Sequence, residues 1–289
     1  MIGYECVTAA GVIWRRHHGA LVPLQMPHTV SGCLNEAELS AALVQNRAAF
    51  ARWEEEFDLI DGGEWWHVVK DQPESLESRS NNTRSKIRRG AKKFDVEPVS
   101  RDEILAEGYP VNRSAFQRYD TFEGILSKSA FCDAISCLPE EVEFWSVRDK
   151  KTGEMVAFSE NLVRDGACFY VTMWFQPEAM KKYAGYVLFY EMNCYYLNEK
   201  NMRYVSDGAR SISHQTNIHD FLIQKFGFRR AYARLRVAYA PGVELAVKML
   251  YPMRNWFSHG SSSLSRKLAV LLEQERIRRS FLPEVTVGD

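Results

Sequence analysis

Glu143-Phe144-Trp145-Ser146-Val147, then Met155-Val156-Ala157-Phe158-Ser159-Glu160-Asn161-Leu162-Val163, then Cys168-Phe169-Tyr170-Val171-Thr172-Met173-Trp174-Phe175 are three runs rich in aromatic and β-branched residues. Such side chains suit the pleated, half-buried surface of a sheet. Lys151-Thr152-Gly153 separates the first two runs, and Asp165-Gly166 the second and third. Asp-Gly supplies the positive φ angles of a tight hairpin turn. The spacing predicts a three-strand meander that Gln176-Pro177 closes.

Downstream, residues 183–198 are aromatic and uninterrupted, which predicts a long buried helix. Tyr204-Val205-Ser206 reads as a short strand, 217–226 as a helix ending in Phe226-Gly227-Phe228, and 231–239 as a strand. Helices are predicted over 243–257 and 264–280, separated by Gly260-Ser261-Ser262-Ser263. Upstream, Val12-Ile13-Trp14 and Ala20-Leu21-Val22 flank a hairpin connection. Asn35 followed by Glu38 resembles a capping box, and Leu39, Leu43, Phe50 and Phe57 extend a helix over 36–57 that Gly62-Gly63 ends. Trp65-Trp66-His67-Val68-Val69 reads as a strand whose tryptophans pack between halves of the protein.

Asn81 to Phe94 changes character. It carries Arg84, Lys86, Arg88, Arg89, Lys92 and Lys93 with no acid, and Ile87, Ala91 and Phe94 share one helical face. This basic helix is either a solvated face or an anion site for a phosphate group. Val96-Glu97-Pro98-Val99 is a short strand, Ser100 with Glu103 opens a helix, and helical patterns recur at 111–120 and 127–137.

A meander, a loop, a long helix, a short strand, a helix and a final strand resemble the GNAT acyltransferases in their order. The residues resemble more closely the Fem-type (FemAB-like) branch, which joins aminoacyl or acyl groups to amines. Gly153 to Leu235 carries the likeness: Tyr204-Val205-Ser206-Asp207-Gly208-Ala209-Arg210-Ser211 is similar to the family's strand-and-turn segment, and Ile218 to Gly227 to the helix after it. The basic helix with Val96–Val99 resembles the opening of the second domain in that branch. The resemblance implies an α+β, GNAT-like mixed sheet flanked by helices. It implies a partial N-terminal unit over 1–95, a complete acyltransferase unit over 96–240 and a helical appendage over 241–289.

The implied activity is transfer of an acyl group from acyl-CoA to an amine of a small metabolite, amino sugar or peptide. The alternatives are an aminoacyl-tRNA-dependent transferase and a non-catalytic ligand-binding protein. Acyl-CoA enters as a co-substrate, without a covalently bound cofactor. The family holds the donor diphosphate at a helix start, where unpaired N–H groups and the helix dipole favour an anion. The matching residues are Lys181, Lys182, Ala184, Gly185 and Tyr186, but Lys182 and Val187 depart from the family's Arg/Gln-x-x-Gly-x-Gly/Ala pattern. Aminolysis of a thioester needs a base for the amine proton. The candidates are Glu160, inside an apolar strand; Asp207, after the short strand; and His214, in the polar loop Asp207–Asn217. Arg210, Ser211, Asn217, Tyr170 and Trp174 are the expected substrate contacts.

Lys+Arg and Asp+Glu are both 37 in 289 residues, a balance that argues against a DNA-binding protein and leaves tRNA the weaker partner. Cys6, Cys33, Cys132, Cys137, Cys168 and Cys194 form no C-x-x-C pair and have no zinc spacing, so reduced thiols and no metal are expected. Met1 to Cys6 has no signal-peptide pattern, and no run reaches the ~20 apolar residues of a membrane span. A cytoplasmic protein with no membrane partner is the expectation.

Overall fold

Asn35 accepts the N–H groups of Ala37 and Glu38 at 3.1 and 3.3 Å, so a helix starts behind it. The computed structural model describes residues 6–17, 19–30, 34–60, 62–116, 125–212, 217–257 and 263–281. In chain order these form β1 (Cys6–Ala9), β2 (Val12–His17), β3 (Ala20–Pro23), α1 (Glu36–Gln45), β4 (Phe50–Leu59), β5 (Trp66–Lys70) and α2 (Asn81–Ala91). Next come β6 (Phe94–Val99), α3 (Arg101–Phe116), α4 (Lys128–Ser136), β7 (Val142–Asp149), β8 (Met155–Arg164) and β9 (Ala167–Phe175). After them follow α5 (Pro177–Lys181), α6 (Ala184–Asn193), β10 (Tyr204–Ala209), α7 (Asn217–Phe226) and β11 (Arg229–Tyr239). The last helices are α8 (Pro241–Leu250), α9 (Arg254–Phe257) and α10 (Ser263–Arg279).

Two compact units divide the chain. The first takes Val68–Gly208 and Ile218–Arg229; the second takes Glu5–His67, Ala209–Asn217 and Arg230–Asp289. In the first unit the strand order is β5-β10-β9-β8-β7-β6. The meander of β7, β8 and β9 is present as expected, antiparallel throughout, and β6 adds to it antiparallel. One face carries α3 and α4, with Ile104, Val111, Phe131, Ile135, Phe144 and Phe158 forming a buried cluster. On the other side, α6 packs Phe189 against Tyr170 of β9 and against Phe221 and Phe226 of α7. The long helix expected over 183–198 starts at Ala184 and widens into a π-helix over Cys194–Glu199.

The second unit orders its strands β1-β2-β3-β4-β11. Val12, Trp14, Leu21, Leu39, Leu43 and Trp53 fill its core beneath α1. The helix expected over 36–57 is corrected here: it stops at Gln45, and residues 50–59 are a strand. Arg47 takes a φ of 50°, which a helix cannot continue through. Ala51 and Trp53 then alternate into the core at a period of two, and β4 pairs with β11, a partner about 180 residues away that local periodicity does not report. The register slips between Tyr232 and Arg234, where Glu56 and Asp58 of β4 have positive φ, so Phe50 and Phe57 are seven apart yet belong to no helix.

A smaller correction concerns the basic helix. Ile87 faces inward as expected, but Phe94 opens β6, and it is Gly90 that is buried beside Ile87. Ser80 caps this helix by accepting from Thr83 N–H at 3.2 Å. No described helix is long and apolar enough to cross a membrane. The described cysteines 6, 132, 137, 168 and 194 are free thiols.

Candidate functional site

β9 and β10 run parallel and pair at Ala167 with Tyr204, Cys168 with Val205 and Phe169 with Ser206. Past these three pairs β9 continues along β8 alone. Two strands that separate leave unmatched N–H and C=O groups along an opening, which a ligand can use. β9 is also bulged there. Tyr170 faces Asn161 and Thr172 faces Glu160, so Val171 is the extra residue. A bulge re-aims the side chains beyond it. Tyr170 lies on the α6 side, donating to Asn193 Oδ1 at 2.8 Å, whereas Trp174 lies among the α3 residues and stacks on Phe116 at 5.0 Å.

Asp207 is the first residue of β10 beyond the last pair with β9. Its Oδ2 lies 3.4 Å from His219 Nε2 of α7, and both side chains are nearly enclosed. Burial pushes the Asp207 carboxyl up to about 7. Tyr170 is near enough for the Asp207 charge to help raise its phenol, although burial is the larger cause. Glu160 occupies β8 opposite Thr172; burial pushes it, too, up to about 7, against a hydrogen bond from Trp174 that favours the ionised form. Glu160 and Trp174 are therefore brought together, and so are Asp207 and Tyr170.

His214 lies outside the described residues. The histidine that reaches Asp207 is His219. The signal that could have found it is spacing: His219, Leu222 and Phe226 recur at three and four residues and form the buried face of α7. Asp207 sits within a strand rather than in a turn.

A second set of buried polar residues lies between β5 and α6. Glu74 is buried in the segment between β5 and α2 and is gripped by Arg79 Nε at 3.0 Å and by Asn193 Nδ2 at 2.9 Å. Lys70 Nζ stands 4.0 Å away, and burial lowers the pKa of that ammonium. Since Asn193 also takes the Tyr170 hydroxyl, the chain Lys70, Glu74, Asn193, Tyr170 anchors β9 at the residue just before its bulge. Only burial by distant elements makes the charges in Asp71-Gln72-Pro73-Glu74 costly unless paired.

At the start of α6, Ala184 and Gly185 are buried, with Met180 and Phe175 closing on Gly185. Tyr183 precedes them with a φ of 74°. Lys181 is exposed and engages Glu178 at 2.6 Å, and Lys182 lies 4.0 Å from Asp149. The Tyr186 hydroxyl accepts from Lys86 of α2 at 3.2 Å, and Arg89 of α2 lies over the Tyr183 ring at 4.8 Å. Helix α2 therefore lies directly on this turn. A Cβ on Gly90 would meet Val187 Cγ2 at 2.3 Å and the Tyr183 carbonyl oxygen at 2.9 Å, so glycine alone permits the contact. On the outer face of α2, Arg84, Arg88, Arg89 and Lys92 line an open basic groove with Asn81 and Ser85.

Of the expected substrate contacts, Arg210 lies in the second unit. It donates to the Glu64 carbonyl at 2.8 Å and pairs with the Glu64 carboxylate at 3.6 Å, which Arg276 shares. Ser211 is partly buried and Asn217 is the exposed first residue of α7.

No family model matches the sequence, and no curated protein does. Solved structures do match. FemX aligns with a TM-score of 0.54 over 87% of this chain and 90% of its own, at 11% identity. The C-terminal DUF2156 domain of an Agrobacterium fabrum protein, described as a lysylphosphatidylglycerol synthetase, aligns with a TM-score of 0.50 over 85% of this chain and 87% of its own, at 13% identity. The chain has the GNAT-like fold, with the mixed sheet flanked by helices that its sequence led us to expect.

Proposed function

We propose that this chain transfers an acyl group from an activated donor to an amine of a small metabolite, amino sugar or peptide, with acyl-CoA as the donor. The observation that carries the reading is the fork between β9 and β10 with the Asp207 carboxyl at its apex, held near a pKa of 7. A base works best when its pKa lies near the operating pH. The amine nitrogen attacks the thioester carbonyl carbon, its surplus proton passes to Asp207, and the C–S bond breaks as the C–N bond is kept. His219 holds the Asp207 carboxylate in place, and the thiolate leaves with the proton that Asp207 surrenders. Glu160 is the second candidate base, on the α3 side of the sheet.

The donor phosphates rest on Arg84, Arg88, Arg89 and Lys92. The same face supports a second reading, an aminoacyl-tRNA donor, because a basic groove open along a helix suits a polyanion. Thermal shift with acetyl-CoA and longer acyl-CoAs, set beside retention of bulk tRNA, separates the two. A bound acyl-CoA at a hundredfold excess over Kd stabilises by about 2.7 kcal/mol. Arg84→Ala/Arg88→Ala/Arg89→Ala weakens that binding and flattens its salt dependence. Retention of tRNA without any CoA shift moves the donor to the second reading, and absence of both overturns the transferase.

A further inference from the structure

Leu245, Met249, Met253 and Trp256 are 61, 66, 39 and 80% exposed. They recur at spacings of four, four and three through α8, the single 3-10 turn Tyr251–Met253 and α9, and so fall on one side of a nearly continuous helical stretch. The other side is seated within the second unit. Val247 is buried, and the Tyr251 ring lies under the Arg279 guanidinium at 3.9 Å and the Arg254 guanidinium at 4.7 Å. The inner face thus fixes the stretch, and the apolar face is turned outward by the fold itself. Exposed apolar residues scattered singly are ordinary; an aligned row ending in a tryptophan is not.

We infer that this face docks on an anionic lipid surface. Charge points that way. Arg266 and Lys267 are exposed, and Arg266 borders the same groove as Arg254, Asn255 and Phe257 of α9. Glu244, the one acid of α8, is taken by Lys248 at 2.6 Å. An apolar row edged by Lys and Arg, with Trp and Met at its end, is the composition of a helix that lies in the plane of the headgroups. Such a helix needs no run of ~20 apolar residues, so the absence of a spanning segment does not bear on it. A second copy of the chain fits the face less well: four side chains over three turns fall far short of the about 20–30 residues a side of a stable dimer.

The full chain is centrifuged with vesicles of phosphatidylcholine alone or mixed equally with phosphatidylglycerol. It sediments with the mixed vesicles, and added salt releases it. Met249→Asp/Trp256→Asp, at positions too exposed to carry the core, weakens the association at least about tenfold with an unchanged melting curve. Arg266→Glu/Lys267→Glu loses the preference for phosphatidylglycerol. Wild-type protein that stays in the supernatant, or an aspartate variant that binds as wild type, overturns the inference. So does a dimer mass in the absence of lipid that Met249→Asp/Trp256→Asp abolishes, which assigns the face to a second copy.

Discussion

Asp207 has one neighbour whose burial the spacing of α7 marks but whose pairing with it sequence could not supply, and one property that follows from its surroundings. His219 stands 3.4 Å from it, and burial holds its proton to about 7. If it is the base, kcat/KM rises with pH through about 7, and Asp207→Asn lowers turnover by roughly 10²–10⁴ while donor affinity barely changes. The pH profile of the residual activity decides the assignment. An Asp207→Asn enzyme that keeps its rate and its rise near 7 moves the base to Glu160, whose carboxyl is also held up to about 7. Asp207, Glu160, Tyr170 and Trp174 were all legible as candidates, because a carboxylate or a large aromatic in an apolar strand is conspicuous. Their pairing was not. Asp207 with His219 joins β10 to α7, and Glu160 with Trp174 depends on a bulge at Val171 that no local pattern announces.

At the scale of the element, α2 and α6 meet through Gly90. An Ala for Gly exchange in a solvated helix interior gains about 1 kcal/mol from propensity. Here the added Cβ would fall 2.3 Å from Val187 Cγ2 and 2.9 Å from a backbone oxygen, and overpacking of that kind costs about 1–3 kcal/mol. The clash outweighs the propensity, so Gly90→Ala lowers stability. In a Val187→Ala background the nearer contact is gone, and the same exchange costs less. Chemical denaturation of the four proteins yields a coupling above about 0.5 kcal/mol if the contact is real and additive values if it is not. Val187 stands where the Fem-type pattern that the sequence resembles has a small residue; the contact with Gly90 accounts for where its bulk goes.

Across the whole molecule, proton binding opposes itself. Glu64, Glu107 and Glu141 are held below the ordinary carboxylate range by Arg276, Arg148 and Arg164 respectively, and their contribution is lost as pH falls through that range. Asp207 and Glu160 work the other way. Between about 4 and 7 the folded chain keeps their protons while the unfolded chain releases them, so stability declines as pH rises across that window. Glu160→Gln/Asp207→Asn removes this decline, and its Tm gains on wild type between pH 5 and pH 8. A Tm difference that stays constant over that span contradicts buried, proton-holding carboxyls.

The same scale shows a repeated order. Each unit runs an antiparallel meander, a helix and a strand parallel to the meander's last: β1 to β3, α1 and β4 in the second unit, and β7 to β9, α5 with α6 and β10 in the first.

The GNAT-like class followed from a family resemblance, whereas sequence alone determined the meander, the buried helix after it, the strand at Tyr204 and the basic helix. Each of these rests on local quantities: apolar period, turn chemistry and capping residues a few positions apart. Tertiary structure alone decided that residues 50–59 are a strand, that His219 meets Asp207, that Glu74 is buried against Arg79 and Asn193, and that α2 covers the start of α6. These depend on which distant segment supplies the partner. A strand borrows its stability from a neighbour across the sheet, and a buried charge is tolerated only where another element brings its counterpart, so neither is written in the residues beside it.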